Sequence, residues 1–215
     1  STMALSGLDI ALWDIKGKYF NAPVFKLLGG ANKKIPAYAG GIALGWQDPS
    51  SLSEEALHYI SIGYKAIKLR VGDTIDNDFE RVKKVRDSIP EGIEVLVDAN
   101  TNYTLNDAKK AIPFYEDYNI GWLEEPFPAM EFNNYRLASS FGNLAIAAGE
   151  NHFTRFEFAR LIEDKCITFA QPDVSKAGGI TELIRIANLI SGWNMSVNPH
   201  TSLTAINMAA SIHIL

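Results

Sequence analysis

Apolar residues along the chain follow two alternating spacings, which predict strands separated by helices. Seven short runs rich in β-branched residues are typical of buried strands; they are residues 35–43, 66–71, 94–97, 120–123, 144–148, 167–170 and 195–197. Between the runs, apolar residues recur every three or four positions, as on one face of a helix. The most regular set is Ile180, Leu183, Ile184 and Ala187. Strand–helix alternation with short connections predicts parallel strands joined by right-handed helical crossovers.

Other segments repeat the helical spacing. After Asp76 the apolar set is Phe79, Val82, Val85 and Ile89, and residues 105–118 and 156–162 are weaker examples. Ahead of the first strand, one helix is predicted by Leu5, Leu8, Leu12 and Ile15. Pro23 begins a short second helix that ends at Gly29-Gly30, because glycine favours the residue after a helix C-terminus.

The number of strand–helix units indicates a barrel. Seven units are too many for a comfortable open sheet of this size and one short of a closed eight-fold barrel. The last apolar segment, residues 212–215, falls in the helical stretch after the seventh strand. We therefore expect an α/β fold, an eight-fold barrel that lacks its end. Residues 1–33 form a helical lead-in, and residues 34–215 form the barrel domain with about seven βα units.

The composition indicates a globular protein and argues against several other classes. The 215 residues are 47% hydrophobic and 21% charged, as in ordinary globular proteins. A net charge of −5 argues against a nucleic-acid surface. A single cysteine, Cys166, excludes an internal disulfide and fits a reducing compartment. Neither a membrane-length apolar run nor a signal-peptide pattern is present, so we expect a cytoplasmic protein.

Three predicted strands are followed by an acid. The acids are Asp98, Glu124 and Glu150, each separated from the next by 26 residues, which is one βα unit. This spacing places them at the C-terminal ends of neighbouring strands, where barrels build active sites. At ~4 Å and an effective dielectric near 20, each pair of carboxylates would repel by roughly 4 kcal/mol. A hard cation with oxygen ligands, Mg²⁺, relieves that repulsion. The alternative is that the acids cap βα turns without a metal.

Glu125 follows Glu124 directly, and we expect it to face away from the metal, either into the layer of residues around the metal ligands or towards a neighbouring cation. On the strand at residues 66–71, Lys68 and Arg70 are two apart and share one face. Apolar neighbours indicate that this face is the barrel interior or its mouth, where the carboxylates would supply the anion. A solvated strand edge is the alternative.

Two further strands end on a complementary pair. Asp173 and His200 are 27 residues apart, again one unit. An aspartate beside a histidine fixes the imidazole tautomer and raises its basicity, although a lone histidine is usually structural. Gly178-Gly179 precedes a helix; the pair is either a phosphate cradle or a point of tight packing.

These motifs resemble the enolase superfamily and, within it, the mandelate racemase-like (mandelate racemase/muconate lactonizing enzyme) branch. The matching segments follow the family's order through nearly the whole chain: ALSGLDIALWDIKGK, FKLLGG, IKLRVG, VDAN, WLEEP, AAGEN, QPDVSKAGGIT and NPHTS. The muconate cycloisomerase-like branch usually carries a lysine on the sixth strand and no histidine on the seventh; this sequence shows the reverse.

The resemblance implies a modified TIM-type (β/α)7β barrel and assigns roles to the site residues. Mg²⁺ would be bound by Asp98, Glu124 and Glu150, with Asp173 and His200 as the acid/base dyad. It also implies that Asn100, in the VDAN segment, binds substrate. We expect this chain to be truncated, without the family's N-terminal α+β capping domain before Ser1. After Leu215 we expect the last strand to be missing, with a carboxylate that often lies there.

Arg70 stands where many members have a lysine that acts as a base. A guanidinium stays protonated, so Arg70 is a poor proton acceptor, and racemisation by two opposed bases would lack its second base. Dehydration needs one base for the α-proton and an acid for the leaving hydroxyl, and His200 can serve as both in turn. Lys68 and Arg70 would stabilise the enediolate and orient the carboxylate.

We therefore expect a Mg²⁺-dependent lyase that dehydrates an acid sugar, an aldonate or aldarate, to a 2-keto-3-deoxy acid. The alternatives are a racemase, epimerase or cycloisomerase on the same scaffold, and an inactive fragment or binding module. The expected partners are a small carboxylate substrate and further copies of the chain, with no nucleic acid and no membrane.

Overall fold

The computed structural model describes residues 1–40, 43–202 and 204–215. Within these ranges helices alternate with six strands. In chain order they are α1 (Thr2–Tyr19), α2 (Val24–Leu27), α3 (Pro49–Ser61), β1 (Ala66–Arg70), α4 (Ile75–Ser88), β2 (Glu94–Asp98), α5 (Leu105–Asp117), β3 (Ile120–Glu124), α6 (Phe132–Ala138), β4 (Ile146–Ala148), α7 (Thr154–Glu163), β5 (Phe169–Ala170), α8 (Gly179–Ser191), β6 (Ser196–Val197) and α9 (Ala205–Ile214). No helix in this part of the chain is both long and apolar enough to cross a bilayer.

The chain divides into two compact units. The central unit is Pro36–Ala147, and the terminal unit combines Ser1–Ile35 with Ala148–Leu215. The boundary that we expect between residues 33 and 34 is not tested by this grouping and stays a prediction.

In the central unit, parallel strands pair in chain order. β1 pairs with β2 and β2 with β3, so that Arg70 lies opposite Asp98 and Asp98 opposite Glu124. β3 continues the pairing with the first two residues of β4. Both faces of these strands are mostly buried, as expected for strands covered by helical crossovers. The register therefore brings one cation and two acids into line at the carboxyl edge.

The predicted strand at residues 35–43 is wrong as a regular strand. Among its described residues it contributes one parallel bridge, Ala39 to Ile67; residues 41 and 42 lie outside the described part. Pro36 has no N–H to donate to a ladder and Gly40 no side chain to pack, so the segment is a poor strand former. By contrast, the helix predicted after Asp76 is confirmed: α4 buries Val82 and Val85 of its predicted apolar face.

α3 and α6 lie between predicted strands, where the alternation predicts helices, although no apolar set identified either of them individually. α3 carries a clear start signal, because Asp48 caps the N–H groups of Ser50 and Ser51 and Pro49 occupies the first turn. α6 is only 7 residues long, and its N-cap, Glu131, makes no capping bond through its side chain. Its pattern is too short for a periodicity argument.

The loop after β1 is held by a buried network. Gly72 has φ +92, and a Cβ there would lie 2.5 Å from the Ala99 carbonyl oxygen. Its N–H donates to Asp78 Oδ2 at 2.8 Å, and the Tyr103 hydroxyl donates to the same oxygen at 2.9 Å. These bonds secure the backbone that leaves Arg70.

In the terminal unit, β5 and β6 pair in parallel, and a bridge between Asp173 and His200 extends their pairing. The Gln171 N–H donates to the Ala148 carbonyl at 2.9 Å. α8 buries the predicted face: Ile180 and Leu183 pack in a core that also holds Val24, Val174 and Ala210. This part of the prediction is confirmed.

α1 is a helix, as predicted, but the face that we expect to be buried is exposed. Leu5, Leu8, Leu12 and Ile15 are 58%, 65%, 64% and 61% exposed. The helix instead packs Ile10 and Trp13 against the core that includes Ile180 of α8. Polar contacts add to this packing: the Thr181 hydroxyl donates to Asp9 Oδ1 at 2.6 Å and accepts from Trp13 Nε1 at 2.9 Å. Apolar spacing therefore predicted the helix correctly but not the face that packs, which is the face that makes these contacts.

Gly178 and Gly179 serve this packing. A Cβ on Gly179 would lie 2.5 Å from Asp9 Cβ, and one on Gly178 would lie 2.8 Å from Glu182 Cβ. The Gly178 N–H donates to the Ser6 hydroxyl at 2.9 Å. Close approach to α1 therefore accounts for Gly179, whereas the nearby Glu182 side chain and a φ of +126 account for Gly178.

Candidate active site

The central unit gathers Lys68, Arg70, Asp98 and Glu124 at the ends of β1, β2 and β3. The Lys68 ammonium lies 2.5 Å from Glu124 Oε1 and 3.2 Å from Asp98 Oδ2. Arg70 NH2 is 4.0 Å from Asp98 Oδ2. Lys68 and both acids are buried. Since Lys68 and Arg70 alternate on one strand whose register matches the acids, the predicted common face is confirmed within this unit.

Lys68 is a cation in this arrangement. Burial alone would lower its pKa, but the charges of Glu124 and Asp98 more than offset that effect and hold the pKa above its ordinary value. A buried ammonium between two buried carboxylates compensates part of their charge. Lys68 is therefore poorly suited to accept a proton while both acids are ionised beside it.

Two aromatic residues lie close to this lysine, and neither was indicated by the strand-end pattern. The Trp122 indole N–H donates to Glu124 Oε2 at 3.1 Å. The Lys68 ammonium is 5.5 Å from the Tyr38 ring centroid, a cation–π distance, and the Tyr38 and Trp122 rings meet edge to face at 5.8 Å. Burial, opposed by Lys68 and assisted by the two acids, raises the pKa of Tyr38 to about 12. Trp122 could have been found, because it precedes Glu124 by two residues on one strand face.

The loop after β2 fixes the other oxygen of Asp98. The Asn100 N–H donates to Asp98 Oδ1 at 2.8 Å. Asn100 and Thr101 have φ of 44 and 66, in the left-handed region. The Asn100 side chain is exposed, and its role in substrate binding stays a prediction. Glu125 is buried with φ of 37; its expected cation partner also stays a prediction.

The terminal unit holds Glu150, Asp173 and His200. His200 Nδ1 is 2.8 Å from Asp173 Oδ2, and His200 Nε2 is 2.8 Å from Glu150 Oε2. Glu150 is placed by Gly149, whose φ is +152 and where a Cβ would lie 2.6 Å from the Gln171 carbonyl carbon. The predicted Asp173–His200 contact is thus present, and the contact of His200 with Glu150 was not foreseen.

Lys176 is a further cation that the sequence analysis did not assign. Its ammonium is 3.3 Å from Glu150 Oε1 and 3.3 Å from Asn151 Oδ1. It lies one turn after Asp173, whose carbonyl accepts the Lys176 N–H at 3.0 Å. Glu150 is therefore flanked by an ammonium on one oxygen and an imidazole on the other.

The imidazole is strongly biased towards its protonated form. Burial lowers the pKa of His200, but hydrogen bonds to Asp173 and Glu150 outweigh it and raise the pKa to about 9. Burial would raise the pKa of Asp173, whereas hydrogen bonds from His200 and Ser175 lower it below its usual range. The free chain at neutral pH therefore carries an imidazolium between two carboxylates.

This arrangement predicts how stability depends on pH. The pKa of His200 is raised on folding, so its contribution is fully present below pH 6.5 and is lost as the pH rises through about 9. The contribution should reach about 3 kcal/mol at most, from 1.36 kcal/mol per pKa unit. Urea unfolding in EDTA should show the free energy of unfolding falling across this window. His200→Asn should flatten that fall, and variation of the exposed His58 to Asn should not. Parallel curves for His200→Asn and the parent would contradict the assignment.

The acids are chemically suited to a hard cation. Asp98 and Glu124 present buried carboxylate oxygens in adjacent register in the central unit, and Glu150 presents its own in the terminal unit. Among the described residues no group of three or more His, Cys, Asp or Glu side chains is arranged to hold a metal ion. In the free chain, Lys68 contacts oxygens of Asp98 and Glu124, and His200 contacts an oxygen of Glu150. The three-carboxylate Mg²⁺ site stays a prediction.

Parallel strands alternate with helices, and acids, cations and an imidazole lie at or near the strand ends; this arrangement is typical of α/β-barrel enzymes. Residues 51–215 match the family model Enolase C-terminal domain-like. Residues 1–29 match the model Mandelate racemase / muconate lactonizing enzyme, N-terminal domain. The chain belongs to the enolase superfamily, in its mandelate racemase-like branch. The predicted family and fold class are confirmed.

Known relatives cover nearly all of this chain. A solved member of the enolase superfamily from Polaromonas sp. JS666 is 50% identical with a TM-score of 0.97, over 99% of this chain and 57% of that one. Arabinonate dehydratase of Saccharolobus solfataricus is 34% identical over 213 residues, 98% of this chain and 57% of its own length. The 3,6-anhydro-alpha-L-galactonate cycloisomerase of Streptomyces coelicolor is 35% identical over 203 residues, 93% of this chain and 55% of its own. The chain therefore spans little more than half the length of these relatives.

Proposed function

We propose that the protein is a Mg²⁺-dependent lyase that dehydrates an acid sugar, an aldonate or aldarate, to a 2-keto-3-deoxy acid. The observation that carries the proposal is the contact of 2.8 Å between His200 Nδ1 and Asp173 Oδ2, which is the geometry of an oriented acid/base imidazole. A relative named arabinonate dehydratase, 34% identical to this chain, supports the same reaction class.

His200 can supply both proton transfers. As a neutral imidazole it removes the proton α to the substrate carboxylate, and as imidazolium it protonates the leaving 3-hydroxyl. The contact between Nε2 and Glu150 raises the pKa of His200, so His200 becomes a base once Glu150 no longer accepts from Nε2. Asp173 keeps Nδ1 as the donor nitrogen throughout.

A bound Mg²⁺ would supply Lewis-acid stabilisation of the enediolate, and Asp98, Glu124 and Glu150 are the residues that would hold it. Lys68 and Arg70 contribute fixed positive charge beside the acids of the central unit. Lys68 is expected to remain protonated because its pKa is raised, and Arg70 carries a guanidinium, which is a poor proton acceptor. Two cations and one histidine favour one-base dehydration over two-base racemisation.

Cycloisomerisation is the second candidate. The cycloisomerase relative from Streptomyces coelicolor is as similar to this chain as the dehydratase relative is, at 35% and 34% identity. Racemisation or epimerisation on the same scaffold, and a binding module without turnover, are the remaining alternatives.

A substrate screen separates these candidates. The Mg²⁺-loaded protein is incubated in D₂O with a panel of aldonates, aldarates and 3,6-anhydro-galactonate. We expect a 2-keto-3-deoxy product, detected as its semicarbazone, from at least one acid sugar. Deuterium at the α-carbon without loss of water would instead indicate racemisation or epimerisation, and a product isomeric with the substrate would indicate cycloisomerisation. Binding without any change of the panel would support a binding module.

Compartment, oligomeric state and binding partners can be proposed on the same basis. We propose a cytoplasmic homo-oligomer that binds a small carboxylate and neither nucleic acid nor membrane. A net charge of −5 and a single, buried cysteine, Cys166, support it. Light scattering after size-exclusion chromatography measures the oligomeric state.

A further inference from the structure

Asn207 on α9 reaches Asp173 of the acid/base pair. Its Nδ2 group donates to Asp173 Oδ1 at 2.8 Å across a separation of 34 residues, and to the Ser175 hydroxyl oxygen at 2.7 Å. Asn207 is 3% exposed and Asp173 is fully buried. Neither the strand-end pattern nor the order of motifs along the chain indicated this asparagine.

The two oxygens of Asp173 have separate partners. Oδ2 faces His200 Nδ1 at 2.8 Å. Oδ1 accepts from the Ser175 N–H at 2.7 Å, from the Ser175 hydroxyl at 2.5 Å and from Asn207 Nδ2 at 2.8 Å. Donors concentrated on one oxygen fix the rotation of the carboxylate plane, so they determine where the other oxygen points.

Asn207 and Ser175 form a directional chain of hydrogen bonds. The amide donates to the Ser175 hydroxyl, which donates in turn to Asp173 Oδ1. Reversing the amide would place its carbonyl oxygen against a carboxylate, so the donors must face Asp173. Ser175 follows Asp173 in the same turn, whereas Asn207 comes from a different element and connects Asp173 to α9.

The start of α9 makes this support rigid. Thr204 is the N-cap, and its hydroxyl oxygen accepts the Asn207 N–H at 3.1 Å. Asn207 is the third residue of the helix, so its backbone is fixed by the cap and by the first helical turn. A polar side chain presented from a helix is more precisely placed than one on a loop.

We propose that Asn207 is a positioning residue for the Asp173–His200 pair. It holds Asp173 Oδ1 so that Oδ2 stays on His200 Nδ1, which keeps the imidazole in one tautomer and orientation. The catalytic consequence rests on the proposed function; the effect on the imidazole does not. Asn207 touches neither His200 nor a reacting atom in this assignment.

The test compares Asn207→Leu, which removes the donor at similar size, with Asn207→Asp, which places a second anion against Asp173. Asn188→Leu, at an exposed position of α8, is the matched control. The first readout is the ¹⁵N shifts of the His200 imidazole in the metal-free protein. At neutral pH we expect both imidazole nitrogens protonated and hydrogen-bonded in the parent and control, and a displaced or broadened Nδ1 resonance in both Asn207 variants.

The second readout is steady-state kinetics on whichever acid sugar turns over. Positioning predicts a fall in kcat of roughly 10–100-fold, the range found when outer partners of an active group are removed, with KM within about twofold. Unchanged His200 shifts in folded variants would overturn the proposal, as would a rise in KM at constant kcat, which would make Asn207 a substrate-binding residue. If Asn207→Leu fails to fold by circular dichroism, the comparison rests on Asn207→Asp.

The two readouts separate this inference from the function on which it rests. If no acid sugar turns over but the Asn207 variants shift the His200 resonances, the dehydratase proposal fails and the positioning role stands. If dehydration is observed but neither variant changes kcat or the His200 shifts, only the role of Asn207 fails.

Discussion

Replacing His200 with asparagine should abolish both exchange of the substrate's α-hydrogen and elimination of water, with a loss of roughly 10²–10⁴-fold. Asparagine keeps polar atoms near Asp173 and Glu150 but cannot accept and return a proton at neutral pH. The measurement is α-hydrogen exchange in D₂O, followed by proton NMR, in parallel with formation of the 2-keto acid.

Two companion variants sharpen this result. Asp173→Asn should keep the fold and lower the rate strongly, because the imidazole loses the anion that orients Nδ1. His58→Asn, at an exposed position of α3, should retain the parent rate. If His200→Asn exchanged the α-hydrogen at the parent rate, Lys68 or Arg70 would be the base, and the one-base argument for dehydration would fail.

The positions of the strand-end acids and cations could be predicted because they depend on two regular spacings, the βα unit and the alternation of side chains along a strand. One βα unit separates Asp98 from Glu124, and parallel register then places the two side by side. The alternation of Lys68 and Arg70 on a strand fixes their common face in the same way. Neither inference requires knowledge of which helix packs where.

The supporting contacts could not be predicted in this way. Asn207 lies 34 residues from Asp173, and an asparagine in a helix has no spacing that identifies its partner. Lys176 reaches Glu150 through the geometry of one turn after β5. Such contacts are fixed by tertiary packing, which overrides local pattern.

The exposed face of α1 also shows that local pattern does not determine tertiary packing. Leu8 and Leu12 have the spacing of a buried stripe, yet the helix packs through Ser6 and Gly17, its buried residues. Small residues permit a close approach, as Gly179 does where it faces Asp9 of α1. Periodicity identifies the helix, but hydrogen bonds and steric fit together decide which face is covered.

Replacing Lys68 with methionine should destabilise the metal-free protein by about 3–5 kcal/mol, the usual cost of breaking a buried ion pair by removing one partner. Asp98 and Glu124 are 3% and 1% exposed, so the charge left behind is poorly solvated. Urea unfolding at neutral pH in EDTA measures the loss. Lys65→Met, at an exposed position just before β1, should change the free energy of unfolding little.

Mg²⁺ should recover part of this loss, and more in Lys68→Met than in the parent. In the parent the ammonium contacts Glu124 Oε1 and Asp98 Oδ2, so a cation must share those oxygens with it. In the variant the carboxylates are open to a cation, whose binding stabilises the folded state by RT ln(1 + [Mg²⁺]/Kd). The measurement is the shift of the urea midpoint on replacing EDTA with a series of Mg²⁺ concentrations. An Mg²⁺-dependent shift no larger in Lys68→Met than in Lys65→Met would show that Asp98 and Glu124 are not metal ligands. A Lys68→Met protein as stable as the parent in EDTA would show that the buried ion pair does not form in the free chain.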